Sequence, residues 1–110
     1  MLCDDMGYSD IECYGSEIKT LHIDRLAQEG MRFTQIYANS RSCPTRVSLI
    51  TGMYSTRAGE GQMNDNYGIP EYQGYLRCDC MTLAEVLKLN GYETYMSGKW
   101  HLGNGEGSGP

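Results

Sequence analysis

One serine in this chain stands where a hydroxyl group would meet concentrated positive charge. Ser42 comes just before Pro44, which favours the first turn of a helix, and the apolar residues that follow end at Gly52. A helix N-terminus presents unpaired backbone N–H groups, and Arg46 lies one turn further along. The pattern predicts a site that stabilises an oxyanion at residue 42. The ordinary alternative is a capping serine on a short helix, with the arginine in solvent.

Two adjacent carboxylates near the N-terminus indicate a cation site. Asp4 and Asp5 follow the short apolar segment 1–3, which we predict to be the end of a buried strand. Side chains at the carboxyl end of a strand can converge, and carboxylate oxygens are the preferred ligands of hard cations. Taken alone, the same residues also fit a solvent-exposed turn. They therefore predict a metal site only in combination with the motifs further along the chain.

A lysine and a histidine near the other end of the chain alternate with a tryptophan. Lys99 and His101 flank Trp100, so in an extended segment the two polar side chains lie on one face and the indole on the other. Taken alone, this spacing favours a surface lysine and a hydrogen-bonded structural histidine. His22, in the first turn of a predicted helix, belongs to no such motif, and we interpret it as structural.

The spacing around Ser42 resembles the modification motif of the type I sulfatases. In that family a Cys or Ser stands two residues before a proline and four before an arginine, as Ser42 does relative to Pro44 and Arg46. Cys43 stands one residue too late and occupies the variable position. The resemblance extends over the chain up to Gly103. It implies a serine-type sulfatase, in which a radical maturase oxidises Ser42 to formylglycine.

The same resemblance assigns roles to the other motifs. It implies that Asp4, Asp5 and residue 42 hold Ca²⁺, with Mg²⁺ as the alternative. Lys99 would stabilise charge around the formylglycine hydrate and the bound sulfate, and His101 would remove a hydrate proton when sulfate is expelled. The implied reaction is attack of a hydrate oxygen on sulfur, departure of the alcohol, and release of sulfate with the aldehyde restored.

Two other functions remain open from the sequence. A phosphatase or phosphonate monoester hydrolase of the same superfamily would share the aspartates and the metal. A non-catalytic binding module would fit a chain that holds only part of a site, since sulfatases are several times longer than 110 residues. We therefore expect residues 1–110 to be the N-terminal part of a sulfatase catalytic domain, inactive by itself, with a flexible tail over residues 103–110.

Charge excludes several classes of partner. The chain carries nine Lys and Arg against fourteen Asp and Glu, a net charge of −5, and it has no basic run. Nucleic acids and anionic membrane surfaces are therefore not expected as partners. An anionic sulfate ester must instead be bound by local cations, for which the candidates are Arg46, Lys99, His101 and a divalent metal.

The cysteines and the apolar segments indicate neither a zinc site nor a membrane span. The five cysteines have no metal-ligand spacing, because Cys78 and Cys80 are one residue too close for the usual pair. Their odd number argues against complete pairing within these residues, although one bridge is possible. No run approaches about 20 apolar residues, and no signal peptide is recognisable. Since such sulfatases are commonly secreted or periplasmic, the resemblance implies export, with a signal upstream of Met1.

Three helices are predicted to position these motifs. The first is capped by Thr20 and ended by Gly30, the second carries the Ser42 motif, and the third starts at a Thr82–Glu85 capping box and stops at Asn90-Gly91. The expected apolar faces of the first and third helices are Ile23, Leu26 and Ala27, and Leu83, Val86 and Leu87.

Strands are predicted between the helices. Segment 31–38 leads to the Ser42 motif, and segment 92–96 leads to Lys99. The stretch 59–75, rich in Gly, Asn and Tyr, is expected to form a long surface loop near the site. Strands joined by helices favour a parallel sheet with ligand chemistry outside the carboxyl ends of the strands. The predicted class is α/β, and the resemblance implies the alkaline-phosphatase-like sulfatase fold, a mostly parallel sheet with flanking helices.

Overall fold

Short-range capping signals decide where the helices of this chain begin and end. In the computed structural model, which describes residues 1–103 and 109, α1 spans Leu21–Glu29, α2 spans Ser42–Thr51 and α3 spans Leu83–Leu89. Each helix begins and ends within one residue of its predicted limits. The described residues divide into two units, Met1–Tyr37 and Ala38–Pro110.

The first unit contains α1 and two short 3-10 helices, Tyr8–Asp10 and Glu12–Tyr14, which the sequence analysis missed. Asp24 of α1 is 7% exposed and accepts hydrogen bonds from the Cys13 backbone N–H (2.9 Å) and the Thr20 hydroxyl (3.0 Å). Burial would raise the pKa of Asp24, but these bonds outweigh it and hold the pKa below its ordinary value. Thr20 precedes α1 as predicted. Its hydroxyl bonds to the Asp24 side chain and accepts no cap hydrogen bond from a backbone N–H of the helix.

The second unit is built around one face of α2. Cys43 and Val47, four residues apart and therefore on the same side of the helix, are both fully buried. The core consists of Cys43, Val47, Ala58, Cys80 and Leu102, and the partly buried residues packed against it are Ile50, Met53, Met63, Leu76 and Trp100. α3 contacts α2 and has the predicted capping box in full, with the Thr82 hydroxyl and the Glu85 carboxylate bonded to each other's backbone N–H.

The apolar faces predicted for α1 and α3 are not fully buried within these units. Leu26 of α1 and Leu83 of α3 are more than half exposed, and Val86 is also exposed. Helical periodicity correctly indicates which residues share a face. Burial depends on what packs against that face, which periodicity does not specify.

The segment 55–77 is more enclosed than the predicted surface loop over 59–75. Its two arms are joined by backbone hydrogen bonds from Gly61 to Glu71 (3.0 Å), from Gln73 to Gly59 (3.0 Å) and from Arg77 to Ala58 (3.1 Å). Because the backbone groups pair with one another, part of the loop can be buried without losing hydrogen bonds. Ala58, Gly59, Glu60 and Gly74 are buried.

The predicted strands are absent from the described part of the chain. No β-ladder forms there in segments 1–3, 31–38 and 92–96. An isolated antiparallel bridge joins Glu60 and Tyr72 instead. A strand exists through hydrogen bonds to a neighbouring strand, which these segments lack among residues 1–103 and 109. Phe33 and Ile36 of the second segment are accordingly exposed.

Three further expectations concern the termini, the cysteines and the membrane. The predicted flexible tail over 103–110 lies outside the described residues, apart from Gly103 and Gly109. All five cysteines are free thiols. Within residues 1–103 and 109, every helix is too short or too polar to cross a bilayer.

Candidate active site

Ser42 is the first residue of α2. Arg41, in an extended conformation, occupies the N-cap position, so Ser42 lies one residue further into the helix than predicted. The helix ends at Gly52, which adopts a left-handed φ of 68° and donates its N–H to the Ser48 carbonyl at 2.9 Å. Ser42 therefore lies in the first turn of α2, where the N–H groups before Thr45 have no partner within the helix.

An asparagine that the sequence analysis missed supports this end of the helix. The Asn39 side-chain amide donates to the Pro44 carbonyl (2.9 Å) and to the Ser48 hydroxyl (3.1 Å). The Asn39 carbonyl accepts from the Thr45 hydroxyl at 2.8 Å. An Asn shortly before a helix is a recognisable capping signal, although it did not indicate these particular partners.

Arg46 connects the two sequence motifs of this unit. Its Nε donates to Ser42 Oγ at 3.0 Å, and its Nη1 donates to the Lys99 carbonyl oxygen at 2.7 Å. Ser42 and Arg46 meet because they lie one helical turn apart. Arg46 as a residue is only 8% exposed, so these bonds are made with little competition from water.

His101 reaches the same serine from the far end of the chain. Its Nδ1 lies 3.2 Å from Ser42 Oγ, and the direction of the hydrogen bond depends on the tautomer of the ring. His101 has a left-handed φ of 58°, so the segment from Lys99 to His101 is not extended throughout, as was expected. A left-handed conformation in a residue other than glycine is uncommon and occurs often at functional sites.

Lys99 meets the rest of the site through its backbone carbonyl and its charge. The carbonyl accepts the bond from Arg46, and the positive charges of Lys99 and Arg46 both act on the thiol of Cys43, the neighbour of Ser42. The structure therefore brings Arg46 and His101 into contact with Ser42 and sets Lys99 within electrostatic range of the neighbouring Cys43.

Cys43 points away from this cluster into the core. Its thiol is fully buried and donates to Asn64 Oδ1 at 3.0 Å. Burial, and secondarily the charge of Glu60, raises the pKa of the Cys43 thiol above its ordinary value. Successive helix residues are about 100° apart around the axis, so Ser42 and Cys43 cannot face the same side.

The two aspartates of the first unit have the chemistry of a hard-cation site. Asp4 and Asp5 are exposed, and Asp5 has a left-handed φ of 53°. The loop that follows is closed by a hydrogen bond from the Gly7 N–H to the Asp10 carboxylate at 2.6 Å. Carboxylate oxygens suit Ca²⁺ or Mg²⁺. Within residues 1–103 and 109, no group of three or more His, Cys, Asp or Glu residues is arranged to hold a metal.

Comparison with known proteins gives the family. The sulfatase family profile matches residues 1–109, nearly the whole chain. The chain belongs to the sulfatase family. This confirms the resemblance drawn from the Ser42 motif.

Named sulfatases align over almost all of this chain. The N-acetylgalactosamine-6-O-sulfatase of Bacteroides thetaiotaomicron is 44% identical over 99% of the chain and 21% of its own length. The arylsulfatase of Klebsiella aerogenes is 42% identical over 100% of the chain and 24% of its length. Human arylsulfatase A is 42% identical over 96% of the chain and 20% of its length. This sulfatase chain thus spans a fifth to a quarter of these relatives.

Membership of the sulfatase family implies an alkaline-phosphatase-like α/β fold. The described residues form three α-helices, and no sheet is formed among them.

Proposed function

We propose that this chain carries the nucleophile of an enzyme that hydrolyses sulfate esters, and that the nucleophile derives from Ser42. One observation supports this most: Ser42 Oγ lies within hydrogen-bonding distance of both Arg46 Nε and His101 Nδ1. A nucleophilic oxygen needs a cation to stabilise its charge and a base to take its proton. Membership of the sulfatase family favours sulfate as the group transferred.

We propose that Ser42 is oxidised to formylglycine by a serine-type radical maturase. Oxidation of the primary alcohol to the aldehyde removes two protons and two electrons, two hydrogen atoms in all, and the maturase accepts the electrons. The hydrated aldehyde supplies a nucleophilic hydroxyl and a second hydroxyl through which sulfate is expelled. An unmodified serine would lack the second hydroxyl, and the spacing to Pro44 and the burial of Cys43 both favour residue 42 over residue 43.

Arg46 holds the oxygen of residue 42 and the backbone that leads to His101. Its guanidinium carries a full positive charge in a nearly enclosed position, where electrostatic stabilisation of a developing oxyanion is strong. The bond to the Lys99 carbonyl fixes the segment that bears His101. Arg46 thus acts both on charge and on position.

His101 acts as the base, taking a proton from an oxygen of residue 42 at Nδ1. The 3.2 Å distance to Ser42 Oγ is within the reach that general-base catalysis requires. The ammonium of Lys99 adds positive charge for the oxygens of the sulfate.

Asp4 and Asp5 are proposed as ligands of Ca²⁺, with Mg²⁺ as the alternative. A divalent cation bound there would polarise the sulfate group as a Lewis acid. The substrate is proposed only as a sulfate ester, because the relatives are named for aryl and for carbohydrate substrates. We also propose export to the periplasm or the exterior, as is common among sulfatases.

The test uses the complete gene product, co-expressed with a serine-type maturase. We expect the peptide containing residue 42 to be lighter by two hydrogen atoms and the protein to hydrolyse an activated aryl sulfate faster than the corresponding phosphate. Ser42→Ala should abolish both, while the matched variant Ser40→Ala, two residues before the start of α2, should retain both. Modification at Cys43, or a preference for the phosphate ester, would contradict the proposal.

A further inference from the structure

Glu60 is a carboxylic acid sealed inside the second unit. The residue is 0% exposed, and among the described residues neither carboxylate oxygen has a hydrogen-bond partner. Buried polar atoms without partners are rare in folded proteins, and a buried ionised carboxylate without one is strongly unfavourable. The mechanism proposed above makes no use of Glu60, so its position needs a separate explanation.

The backbone on both sides of Glu60 holds the side chain inside. The Glu60 N–H donates to the Ser55 carbonyl at 2.9 Å, and Glu60 pairs with Tyr72 across the loop. A Cβ at Gly61 would stand 2.8 Å from the Tyr72 ring, and one at Gly59 would stand 2.8 Å from the Gln73 side-chain nitrogen. Because the two arms of the loop are in such close contact, the carboxyl group can reach water only if the arms separate.

The Cys43 thiol of α2 lies within electrostatic range of Glu60. The negative charge of an ionised Glu60 acts on the Cys43 thiol, which also feels the positive charges of Lys99 and Arg46. The Arg46 guanidinium is already bonded to Ser42 and to the Lys99 carbonyl. Burial raises the pKa of Glu60 from 4.5 to about 7.

We propose that Glu60 is a proton-controlled latch of the loop 55–77: the neutral acid is enclosed while the loop is closed on α2, and loss of its proton to solvent favours an open loop in which the carboxylate is hydrated. The latch adjoins the first turn of α2, because Asn64 of the same loop accepts the hydrogen bond of the Cys43 thiol. Opening would therefore uncover Cys43, next to Ser42. The proposal does not depend on the reaction that the protein catalyses.

The direction of the effect follows from the two states of the acid. In the open loop the carboxyl group has its ordinary pKa of 4.5, and in the closed loop its pKa is about 7. The closed loop is therefore fully favoured below pH 4.5, and opening becomes about tenfold easier per pH unit until it levels off above pH 7. The whole range corresponds to about a 300-fold change in the opening equilibrium.

Hydrogen–deuterium exchange of the complete gene product tests the latch. The rates of amides within 55–77 are compared between wild type and Glu60→Gln at the same pH, so that the chemical pH dependence of exchange cancels. We expect the ratio of wild-type to variant rates to rise on the order of 50- to 100-fold between pH 5 and pH 8. Glu71→Gln, an exposed carboxylate in the same loop, should behave as wild type.

A second variant guards against misfolding of the first. Glu60→Met places an apolar side chain of similar length in the core and should remove the pH dependence in the same way. If the ratio of wild-type to variant exchange rates does not change with pH for either folded variant, the latch is overturned. Protection of wild type at pH 8 that is lost on adding a divalent-metal chelator would also overturn it, because the carboxylate would then be ionised and paired with a cation.

Discussion

His101 Nδ1 lies 3.2 Å from Ser42 Oγ, although the two residues are 59 positions apart in the chain. Arg46 makes a second link between the same two parts of the chain. It donates a 2.7 Å hydrogen bond to the carbonyl of Lys99, which lies 53 positions later. Two separate hydrogen bonds thus join the start of α2 to the segment that ends at residue 103. A disturbance at either contact is expected to reach the other.

The first prediction concerns His101 as a base. His101→Asn should lower turnover of an aryl sulfate on the order of 10²–10⁴-fold, because it removes the proposed general base. Asparagine tolerates the left-handed conformation at this position, so the backbone should be preserved. The matched control is His22→Asn, on the exposed surface of α1, which should leave turnover unchanged.

Mass spectrometry separates catalysis from modification in this variant. Residue 42 should still be converted to formylglycine when His101 is replaced. A variant that turns over at the wild-type rate would exclude His101 as the base. A variant that has lost the modification would show instead that His101 acts on maturation.

The second prediction concerns the fork of Arg46. Arg46→Lys keeps the charge, but a single ammonium cannot reproduce the planar pair of bonds to Ser42 Oγ and the Lys99 carbonyl. Leaving the carbonyl unpaired should lower the free energy of unfolding by about 1–3 kcal/mol. Loss of a donor to the reacting oxygen should reduce kcat on the order of 10²–10³-fold.

Steady-state kinetics and thermal unfolding check both effects of Arg46→Lys. Arg57→Lys, in the exposed part of the loop after α2, serves as the control and should change neither quantity. If Arg46→Lys matches wild type in both measurements, charge alone is sufficient at this position and the fork has no role.

The third prediction concerns the metal. Asp5→Asn preserves the left-handed backbone and the size of the side chain but removes a negative charge from the proposed cation site. Bound Ca²⁺, measured by elemental analysis of the purified protein, should fall together with turnover, and excess Ca²⁺ should restore part of both. Glu17→Gln, another exposed carboxylate of the first unit, should leave both at the wild-type level. Unchanged metal content in Asp5→Asn would show that these aspartates belong to an ordinary loop and do not bind the metal.

Features that depend on a few neighbouring residues were predictable from the sequence. The Thr82–Glu85 box and the glycine after α2 place helix ends through bonds made within one turn. Ser42 and Arg46 meet for the same reason, because a helix brings residues four apart together.

Features that depend on packing were not predictable in this way. Nothing in the pattern around Glu60 distinguishes a buried acid from a surface one, because its enclosure results from the pairing of the loop arms. The approach of His101 to Ser42 was expected only from the family resemblance. The strands were overpredicted for the described residues, since propensity does not supply the neighbour that a strand must bond to.

The separation of Ser42 and His101 along the chain also sets a time interval during synthesis. A ribosome adds about 5–20 residues per second, so about 3–12 seconds pass between the synthesis of Ser42 and that of His101, 59 positions later. During that interval the serine has only its local contacts. In the folded chain the same hydroxyl is partly buried and lies against Arg46 and His101. The maturase proposed for Ser42 would therefore meet an open peptide during translation and a closed cluster afterwards, and the order of these events would decide how much of the protein can be activated.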